Sequence, residues 1–327
     1  MTYSFFGTCY YDHQQFFECL QTILDQTISP KEIILVNAGE INIEKKILDK
    51  INNKEIKLVY IFSKVSRVKA LNLAVDKSSS KYSFRFDTRS RFSKDYAENA
   101  ILALQNIDLN AAVVGGVPKV ISSSRKFIPQ LCAEIMGRSY LYFFPKHRNI
   151  NYSGYSSSIY LGCFITSILK NVRFNEKEDI FSEDSLIIND FLERGFKPYI
   201  SSRIKVGYIC RSSFFNILKL FNTYGFCRAN TIFVSKKLFI SERHLYVFIS
   251  LVGISLIFLK FALKGLILLP VLLLVFNIIN EIIFSGKQMS LLVPIYGTLC
   301  QFSWIVGFFW RLLIIFKTNI SKSNFIS

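Results

Sequence analysis

The chain has 327 residues, of which 51% are hydrophobic, and its formal net charge is +17. This length suits one catalytic domain with an extension, and the basic charge indicates either nucleic acid or an anionic membrane as partner. The sequence lacks an RNP-like or zinc-finger pattern, which argues against nucleic acid. Three scattered histidines argue against a histidine metal site, and seven cysteines without a Cys-x-x-Cys pair predict buried, reduced thiols.

The first part of the chain alternates short apolar runs with amphipathic stretches. Strands are predicted at residues 3–9, 32–36, 56–62 and 82–86. With helical patterns between them, this order predicts an α/β fold with a mainly parallel sheet and helices on both faces. Ligands bind beyond the carboxyl ends of such strands, so Asn37 and Asp87 are expected to line one site.

The stretch from Tyr82 to Phe92 joins a strand to a charged turn. Aromatic residues alternate with polar ones, which predicts a half-buried strand ending at Asp87. Arg89 and Arg91 follow at once. A carboxylate among arginines at a strand end suits a metal ion and a diphosphate, but the same pattern also fits a surface salt-bridge cluster. From this stretch alone, the surface cluster is the commoner interpretation.

A second acidic site precedes a helical pattern that ends at Gly195. Glu183 and Asp184 lie in the first turn of this predicted helix. Acidic side chains there complement the helix dipole, which is a common structural role. The functional alternative is a general base that takes a proton from a hydroxyl. The pattern alone favours the structural role.

Two other regions have weaker patterns. Residues 122–156 are rich in basic and aromatic side chains and are predicted to form a long loop region. Residues 211–243 have a similar composition, which suits a helix lying in a membrane interface. The alternative for this second region is an ordinary amphipathic helix. Residues 1–210 are taken as the catalytic domain.

From Leu245 onward the sequence is almost continuously apolar. The uncharged segments are residues 245–259, 265–280 and 288–310. Because a spanning helix needs about 20 apolar residues, the last is the strongest candidate. Residues 244–316 are predicted to hold two to four membrane segments, with a basic tail at 317–327. Flanking positive charge and the lack of a signal-peptide pattern predict a multi-pass protein with a cytoplasmic catalytic domain.

Several motifs occur together in the order typical of one family. In chain order they are Gln26, Glu32–Val36, Ala70-Leu71-Asn72, Asp87-Thr-Arg-Ser-Arg-Phe92, Gly115-Gly116, Tyr160-Leu-Gly-Cys-Phe164, Glu183-Asp184 and Tyr224-Gly-Phe-Cys-Arg228. With these motifs the chain resembles the family-2 inverting glycosyltransferases from about residue 3 to residue 230. It is most similar to the membrane-bound bacterial type that includes succinoglycan-type glucosyltransferases.

The resemblance implies a GT-A fold, a nucleotide-diphosphate sugar donor, usually with uridine, and a divalent Mg²⁺ or Mn²⁺ ion. It implies that Asp87 binds the metal or the diphosphate and that Asp184 is the base that deprotonates the acceptor. Glu183 would have a positioning role. The remaining donor-binding positions it implies are Asn37, Asn72, Arg89 and Arg228.

The implied reaction moves one sugar, with inversion, to a lipid-linked or growing polysaccharide acceptor. The implied setting is exopolysaccharide biosynthesis at the bacterial inner membrane, with an anionic lipid surface and no nucleic acid as partner. The segment Tyr224–Arg228 differs from the Gln-x-x-Arg-Trp pattern of processive synthases. We therefore expect a single-addition transferase.

Three positions depart from the family pattern. Asp12 and Asn37 stand where the family usually has Asn and Asp. Arg89 stands where a second metal ligand is usual, and a guanidinium offers no lone pair. One hypothesis is that Arg89 carries part of the metal's electrostatic role. The departures also favour an alternative function, a catalytically degenerate scaffold of a membrane-associated polysaccharide assembly complex, although retention of Asp87 and of the acidic pair argues against it.

Overall fold

The computed structural model describes residues 2–11, 13–52, 54–107, 110–176, 182–233, 263–285 and 290–323. Asp12 and the predicted membrane segment at 245–259 lie outside them. The chain divides into two compact units. The first comprises Met1–Lys119, Lys146–Asp179 and Glu183–Ile209, and the second comprises Val120–Pro145, Ile180–Ser182 and Cys210–Ser327.

The first unit is built on a sheet whose central strands are buried. The strands of the chain are β1 (Tyr3–Cys9), β2 (Glu32–Asn37), β3 (Lys57–Phe62), β4 (Tyr82–Phe86), β5 (Ser90–Phe92), β6 (Val113–Gly116), β7 (Pro118–Ile121), β8 (Gly154–Tyr155), β9 (Tyr160–Ile165), β10 (Tyr199–Ile200) and β11 (Val206–Ile209). The main sheet has the order β3-β2-β1-β4-β9-β6-β10-β8. Strands β1 to β4 pair in parallel and β9 runs antiparallel to both of its neighbours. The predicted mainly parallel sheet is confirmed.

Helices cover both faces of this sheet, as predicted. Those of the first unit are α1 (His13–Leu24), α2 (Glu44–Ile51), α3 (Arg67–Lys77), α4 (Tyr96–Asn106), α6 (Thr166–Val172) and α7 (Glu183–Glu193). Alternate strand residues serve two separate cores. Phe5 and Ile33 pack with α1, α2 and α4, whereas Phe6 and Ile34 pack with α3, α6 and α7. Near-continuous apolar strands are what a sheet with two covered faces requires.

Strand β4 differs from the sequence-based expectation. It was expected to be half-buried, but all five of its residues are buried. Both faces are covered, so its polar members also lie inside, and Arg85 is only 3% exposed. A buried guanidinium requires charged partners.

A small second sheet holds the loop that follows β4. Its strand order is β5-β11-β7, and β5 pairs antiparallel with β11. The Ser90 amide donates to the Asp87 carbonyl at 2.9 Å, and the Ile209 amide donates to the Arg89 carbonyl at 2.9 Å. The backbone of the Asp87–Ser90 turn is therefore held both within itself and from β11.

The second unit is helical. It contains α5 (Phe127–Gly137), a 3-10 turn (Ser139–Tyr142), α8 (Phe214–Phe233), α9 (Leu263–Ser285) and α10 (Leu292–Ser323). Helix α5 corrects the prediction of a long loop over residues 122–156. Its apolar face, with Leu131 and Ile135 buried, is short and is flanked by basic residues that weaken the periodic signal.

Helices α8 and α10 approach so closely that their backbones are almost in contact. A Cβ at Gly225 would lie 1.9 Å from the Trp304 carbonyl oxygen, and one at Gly307 would lie 2.0 Å from that of Asn222. Only glycine permits this spacing, as in other small-residue helix crossings.

One helix in the described part of the chain, Leu292–Lys317, is long and apolar enough to cross a membrane. It overlaps the strongest candidate from the sequence, 288–310. Helix α9 contributes a shorter apolar stretch, Pro270–Ser285, and it continues through Glu281, the charged residue that ends the uncharged segment 265–280. A buried partner for Glu281 explains this continuity. The expectation of several crossings and a multi-pass protein is not supported.

Candidate active site

Three elements of the first unit bring their charged ends together. Asp87 directly follows β4, and Glu183 and Asp184 begin α7. Arg67 begins α3, and Arg85 comes from β4 itself. We call these five residues the arginine–carboxylate cluster. It forms at the carboxyl end of a central parallel strand, where sheets of this type bind ligands.

Two guanidinium groups bridge two carboxylates in this cluster. Arg67 Nε donates to Glu183 Oε1 at 2.7 Å, and Arg67 Nη2 donates to Asp87 Oδ1 at 3.0 Å. Arg85 Nη2 donates to the same Glu183 oxygen at 2.8 Å and lies 3.6 Å from Asp87 Oδ1. These charge-assisted contacts fix the two acidic side chains relative to each other.

The cluster has a buried part and an accessible part. The side chains of Arg85 and Glu183 are 4% and 5% exposed, whereas those of Arg67 and Asp87 are 38% and 31% exposed. Asp184 is also exposed, and its Oδ1 accepts a hydrogen bond from the Ser185 amide at 2.8 Å. The buried pair joins β4 to α7, and the accessible residues leave charged groups within reach of a ligand.

The pKa values of the three carboxyl groups in the cluster are shifted in different directions. Burial raises the pKa of Glu183, but Arg85 and Arg67 outweigh it, so the net pKa is lowered. Desolvation also opposes the lowering of the Asp87 pKa, and the same two arginines again outweigh it. Desolvation by the surrounding protein and then the Glu183 charge raise the pKa of Asp184. A carboxylate with a raised pKa is the better proton acceptor, as a general base requires.

Asn37 lies inside a network of its own. It is fully buried, and its Nδ2 donates to the Ile41 carbonyl at 2.7 Å and to the Tyr60 hydroxyl at 2.8 Å. Its Oδ1 accepts from the Gly39 amide at 3.0 Å. These contacts hold the loop that follows β2.

Asn72 connects α3 to the segment that precedes the acidic pair. Its Nδ2 donates to the Phe174 carbonyl at 2.8 Å and to Glu176 Oε1 at 2.7 Å. Its Oδ1 accepts from the Phe174 amide at 2.9 Å. Asn72 therefore fixes the backbone of this segment against α3.

Two other predicted site residues stand outside the elements that carry the cluster. Arg89 is in the turn between β4 and β5, and Arg228 is on α8 in the second unit. Among the predicted residues, the structure therefore brings together Asp87, Glu183 and Asp184.

Arg67 and Arg85 were missed by the sequence analysis. Arg85 had a usable signal, because a charged residue within a strand that is covered on both faces needs a buried counter-charge. Arg67 had none, since it lies 20 residues from Asp87 and 116 residues from Glu183 in the chain.

The protein side chains of the cluster do not by themselves form a complete divalent metal site. No group of three or more His, Cys, Asp or Glu side chains within the described ranges is arranged to hold a metal ion. The Asp87 Oδ1 and Glu183 Oε1 atoms already face guanidiniums, and Arg89 occupies the position of the usual second ligand. In the motif that the resemblance assigns to the expected Mg²⁺ or Mn²⁺ ion, Asp87 is therefore the single carboxylate.

Comparisons with known proteins agree with the fold. Residues 9–170 match the family model described as Glycosyl transferase family 2, and no curated protein matches the chain. A mannosyltransferase from Pyrobaculum calidifontis, PcManGT, solved with GDP-Man and Mn²⁺, has a TM-score of 0.58 and 12% identity, over 94% of this chain and 87% of that one. The S. aureus TarS fragment 1-349 has a TM-score of 0.50 and 14% identity, over 95% and 92%.

At these identities the structural likeness shows the fold alone, which is GT-A-like. The family match includes β4 and Asp87 and ends before Glu183. Residues 9–170 are thus similar to Glycosyl transferase family 2, and the likeness to the solved structures extends the shared fold over most of the chain.

Proposed function

We propose that this protein transfers one sugar from a nucleotide-diphosphate donor to an acceptor hydroxyl, with inversion at the anomeric carbon. One observation carries the proposal: Asp184, an exposed carboxylate in the first turn of α7, directly follows Glu183 in the arginine–carboxylate cluster at the carboxyl end of β4. A base for the acceptor and charged groups for the donor thus occur in one place.

In the proposed reaction Asp184 accepts the proton of the acceptor hydroxyl. The hydroxyl oxygen attacks the anomeric carbon from the face opposite the leaving group. The bond between that carbon and the diphosphate oxygen breaks, and its electron pair stays on the diphosphate. A single displacement of this kind inverts the anomeric configuration. The leaving group gains negative charge, so nearby cations lower the barrier.

Glu183 acts as a positioning residue in this scheme. Two guanidiniums hold it ionised and buried next to the base. Its negative charge is one of the causes that raise the pKa of Asp184. It therefore makes Asp184 a stronger base without contacting the substrate.

The donor is proposed to be a nucleotide sugar, with uridine as the first choice from the family resemblance. The PcManGT structure contains GDP-Man and therefore supports guanosine as the second. Asp87 and Arg89 are proposed donor contacts. Arg228 belongs to the second unit and stays a prediction from the resemblance. Asn37 and Asn72 are proposed to act indirectly, because their amides are engaged in holding the loops around the site.

The acceptor is proposed to be lipid-linked, as part of cell-surface polysaccharide biosynthesis of the succinoglycan type. Helix α10 supplies an apolar stretch of spanning length, and Trp310 on it is 60% exposed. Ile283 on α9 is 64% exposed. Large exposed apolar side chains on two helices suit contact with lipid. We propose that these helices attach the protein to the cytoplasmic face of a bacterial inner membrane.

The test uses full-length protein in detergent and a panel of UDP- and GDP-sugars. Asp184→Asn is expected to keep donor binding while lowering transfer about 10²- to 10⁴-fold, the usual effect of a general base. Asp190→Asn, on the same helix, is the matched control and should retain activity. Product NMR should show inversion at the anomeric carbon. Wild-type-like transfer by Asp184→Asn would refute the role of the base, and folded protein that binds no donor would favour the scaffold alternative.

A further inference from the structure

We infer that the Arg67 guanidinium binds the donor diphosphate and stabilises it as the leaving group, in the role that the family resemblance gives to a divalent metal. This inference rests on the proposed function and deepens it. The sequence hypothesis gave this role to Arg89, and the geometry points to Arg67, because Arg67 is a partly exposed cation whose Nη2 contacts Asp87 Oδ1.

The acidic side chains of the cluster make the position of its arginines important for a bound diphosphate. Three carboxylates, those of Asp87, Glu183 and Asp184, interact with the two guanidiniums of Arg67 and Arg85. A diphosphate brings further negative charge to the same place. Unless a guanidinium of the cluster also faces the diphosphate, it would be repelled by the acidic side chains that the reaction needs.

The two arginines differ in the hydrogen-bond donors and the access that they leave for a ligand. Arg85 is buried, donates to Glu183 and stacks over the Phe174 ring with its Cζ 5.7 Å from the ring centroid. Arg67 uses Nε for Glu183 and Nη2 for Asp87, and its Nη1 donates to none of the residues described here. With 38% of its side chain exposed, Arg67 has both donors and access for a ligand.

The backbone around Arg67 also favours an anion. Arg67 is the first residue of α3, and Ser66 precedes it as N-cap, with its Oγ accepting from the Lys69 amide at 3.4 Å. The amino end of an 11-residue helix carries partial positive charge. The guanidinium and the helix end therefore act in the same direction on a phosphate group.

A guanidinium suits this task chemically. Its planar donors match two non-bridging oxygens of a diphosphate, and it stays charged throughout the reaction. When the bond from the anomeric carbon to the diphosphate breaks, the new charge falls on a group that already accepts its hydrogen bonds. No proton leaves Arg67, since the only proton transferred is the one that passes to Asp184.

The experiment measures binding of UDP and GDP to full-length protein by calorimetry, first in EDTA and then with Mn²⁺. Wild-type protein is expected to bind one of them in EDTA, and Mn²⁺ should change its Kd less than about twofold. Arg67→Gln should weaken binding about tenfold to 100-fold, as expected for hydrogen bonds to charged groups. The Kd of Arg67→Lys should lie between those of wild-type protein and Arg67→Gln, because lysine keeps the charge and loses the planar pair of donors.

Two controls separate this role from a structural one. Arg173→Gln removes an exposed arginine that pairs with Asp76 in the same unit and should leave binding unchanged. The corresponding nucleoside monophosphate should lose much less affinity in Arg67→Gln than the diphosphate does. Unfolding temperatures of all variants report on folding, and the Mn²⁺ EPR signal reports directly on whether the protein takes up the ion.

The outcomes distinguish the two proposals. Binding that requires Mn²⁺, or that is the same in Arg67→Gln and wild-type protein, overturns the role of Arg67 and leaves the glycosyltransferase proposal standing. Absence of binding for both diphosphates, with and without Mn²⁺, overturns the proposed function and this inference with it.

Discussion

The two units of the molecule each contain a buried glutamate held by arginine, and they use it differently. In the second unit, Arg138 donates from Nε and Nη2 to the two oxygens of Glu281 at 3.0 and 2.9 Å. The Tyr140 hydroxyl donates to the same carboxylate at 2.7 Å. One cation balances one anion, and the Glu281 side chain is 1% exposed. In the first unit, two arginines face three carboxylates, and Arg67 remains accessible.

This difference separates a structural ion pair from a functional one. A balanced, closed pair has no capacity for a ligand and serves to hold helices together. A cluster with an accessible guanidinium, such as that of Arg67, keeps the capacity to bind an anion. The same residue types thus have different roles, according to charge balance and access.

The largest expected effect on stability comes from breaking the closed pair. Arg138→Met leaves the Glu281 carboxylate buried without its cation, and we expect a loss of about 3 kcal/mol in the free energy of unfolding. Denaturant unfolding in detergent measures it. Arg125→Met, at an exposed position in the same unit, is the control. A loss no greater than that of the control would mean that the pair contributes little.

A smaller loss is expected in the open cluster. Glu183→Gln keeps the shape and removes the charge that Arg67 and Arg85 contact, so about 2 kcal/mol of stability should be lost, the scale of a hydrogen bond to a charged group. Transfer activity should fall as well, because Glu183 also sets the basicity of Asp184. Activity unchanged alongside lowered stability would make Glu183 purely structural.

The pH dependence of kcat/KM sharpens the comparison further. Asp184 must be deprotonated to act, and its pKa is raised above the ordinary value of 3.8 by desolvation and by Glu183. Activity should therefore fall about tenfold per pH unit below that raised pKa. In Glu183→Gln the acidic limb should move to lower pH, because the Glu183 charge is lost while Arg67 and Arg85 remain. An unmoved limb would contradict the coupling between the two carboxyl groups.

Glu183 and Asp87 make the stability of the folded protein depend on pH. Their pKa values are lowered in the folded protein, so the stability they contribute is present above their unfolded pKa values. This stability is lost as the pH falls through the pKa values that the two groups have in the folded protein.

The smallest effect is expected for an exposed pair. Arg173 Nη1 and Nη2 contact the two oxygens of Asp76 at 2.7 and 3.0 Å, with side chains 44% and 41% exposed. Asp76→Asn should change the free energy of unfolding by less than about 0.5 kcal/mol, because solvent screens such pairs. A loss comparable to that of Arg138→Met would show that geometry matters more than burial.

Local patterns were enough to predict the first strands, the covering helices and the acidic residues that the structure brings together. Apolar periodicity reports burial, and a carboxylate after a strand or before a helix is visible in a short window. Arg67 could not be found in this way, because its partners are brought to it only by the parallel sheet. Helix α5 was obscured by its basic flanks, and the alternating pattern of β4 did not reveal that its polar residues were also buried.

The side-chain network of Asn37 has a consequence for the loop that it holds. Its amide donates to the Ile41 carbonyl, which an aspartate could not do, and the Tyr60 hydroxyl accepts from it while also accepting from the Ile43 amide. An aspartate at position 37 would place a negative charge against the Ile41 carbonyl and would lose this donor. The conformation of the loop after the second strand is thus expected to depend on an amide at this position, because only an amide both donates to Ile41 and accepts from Gly39.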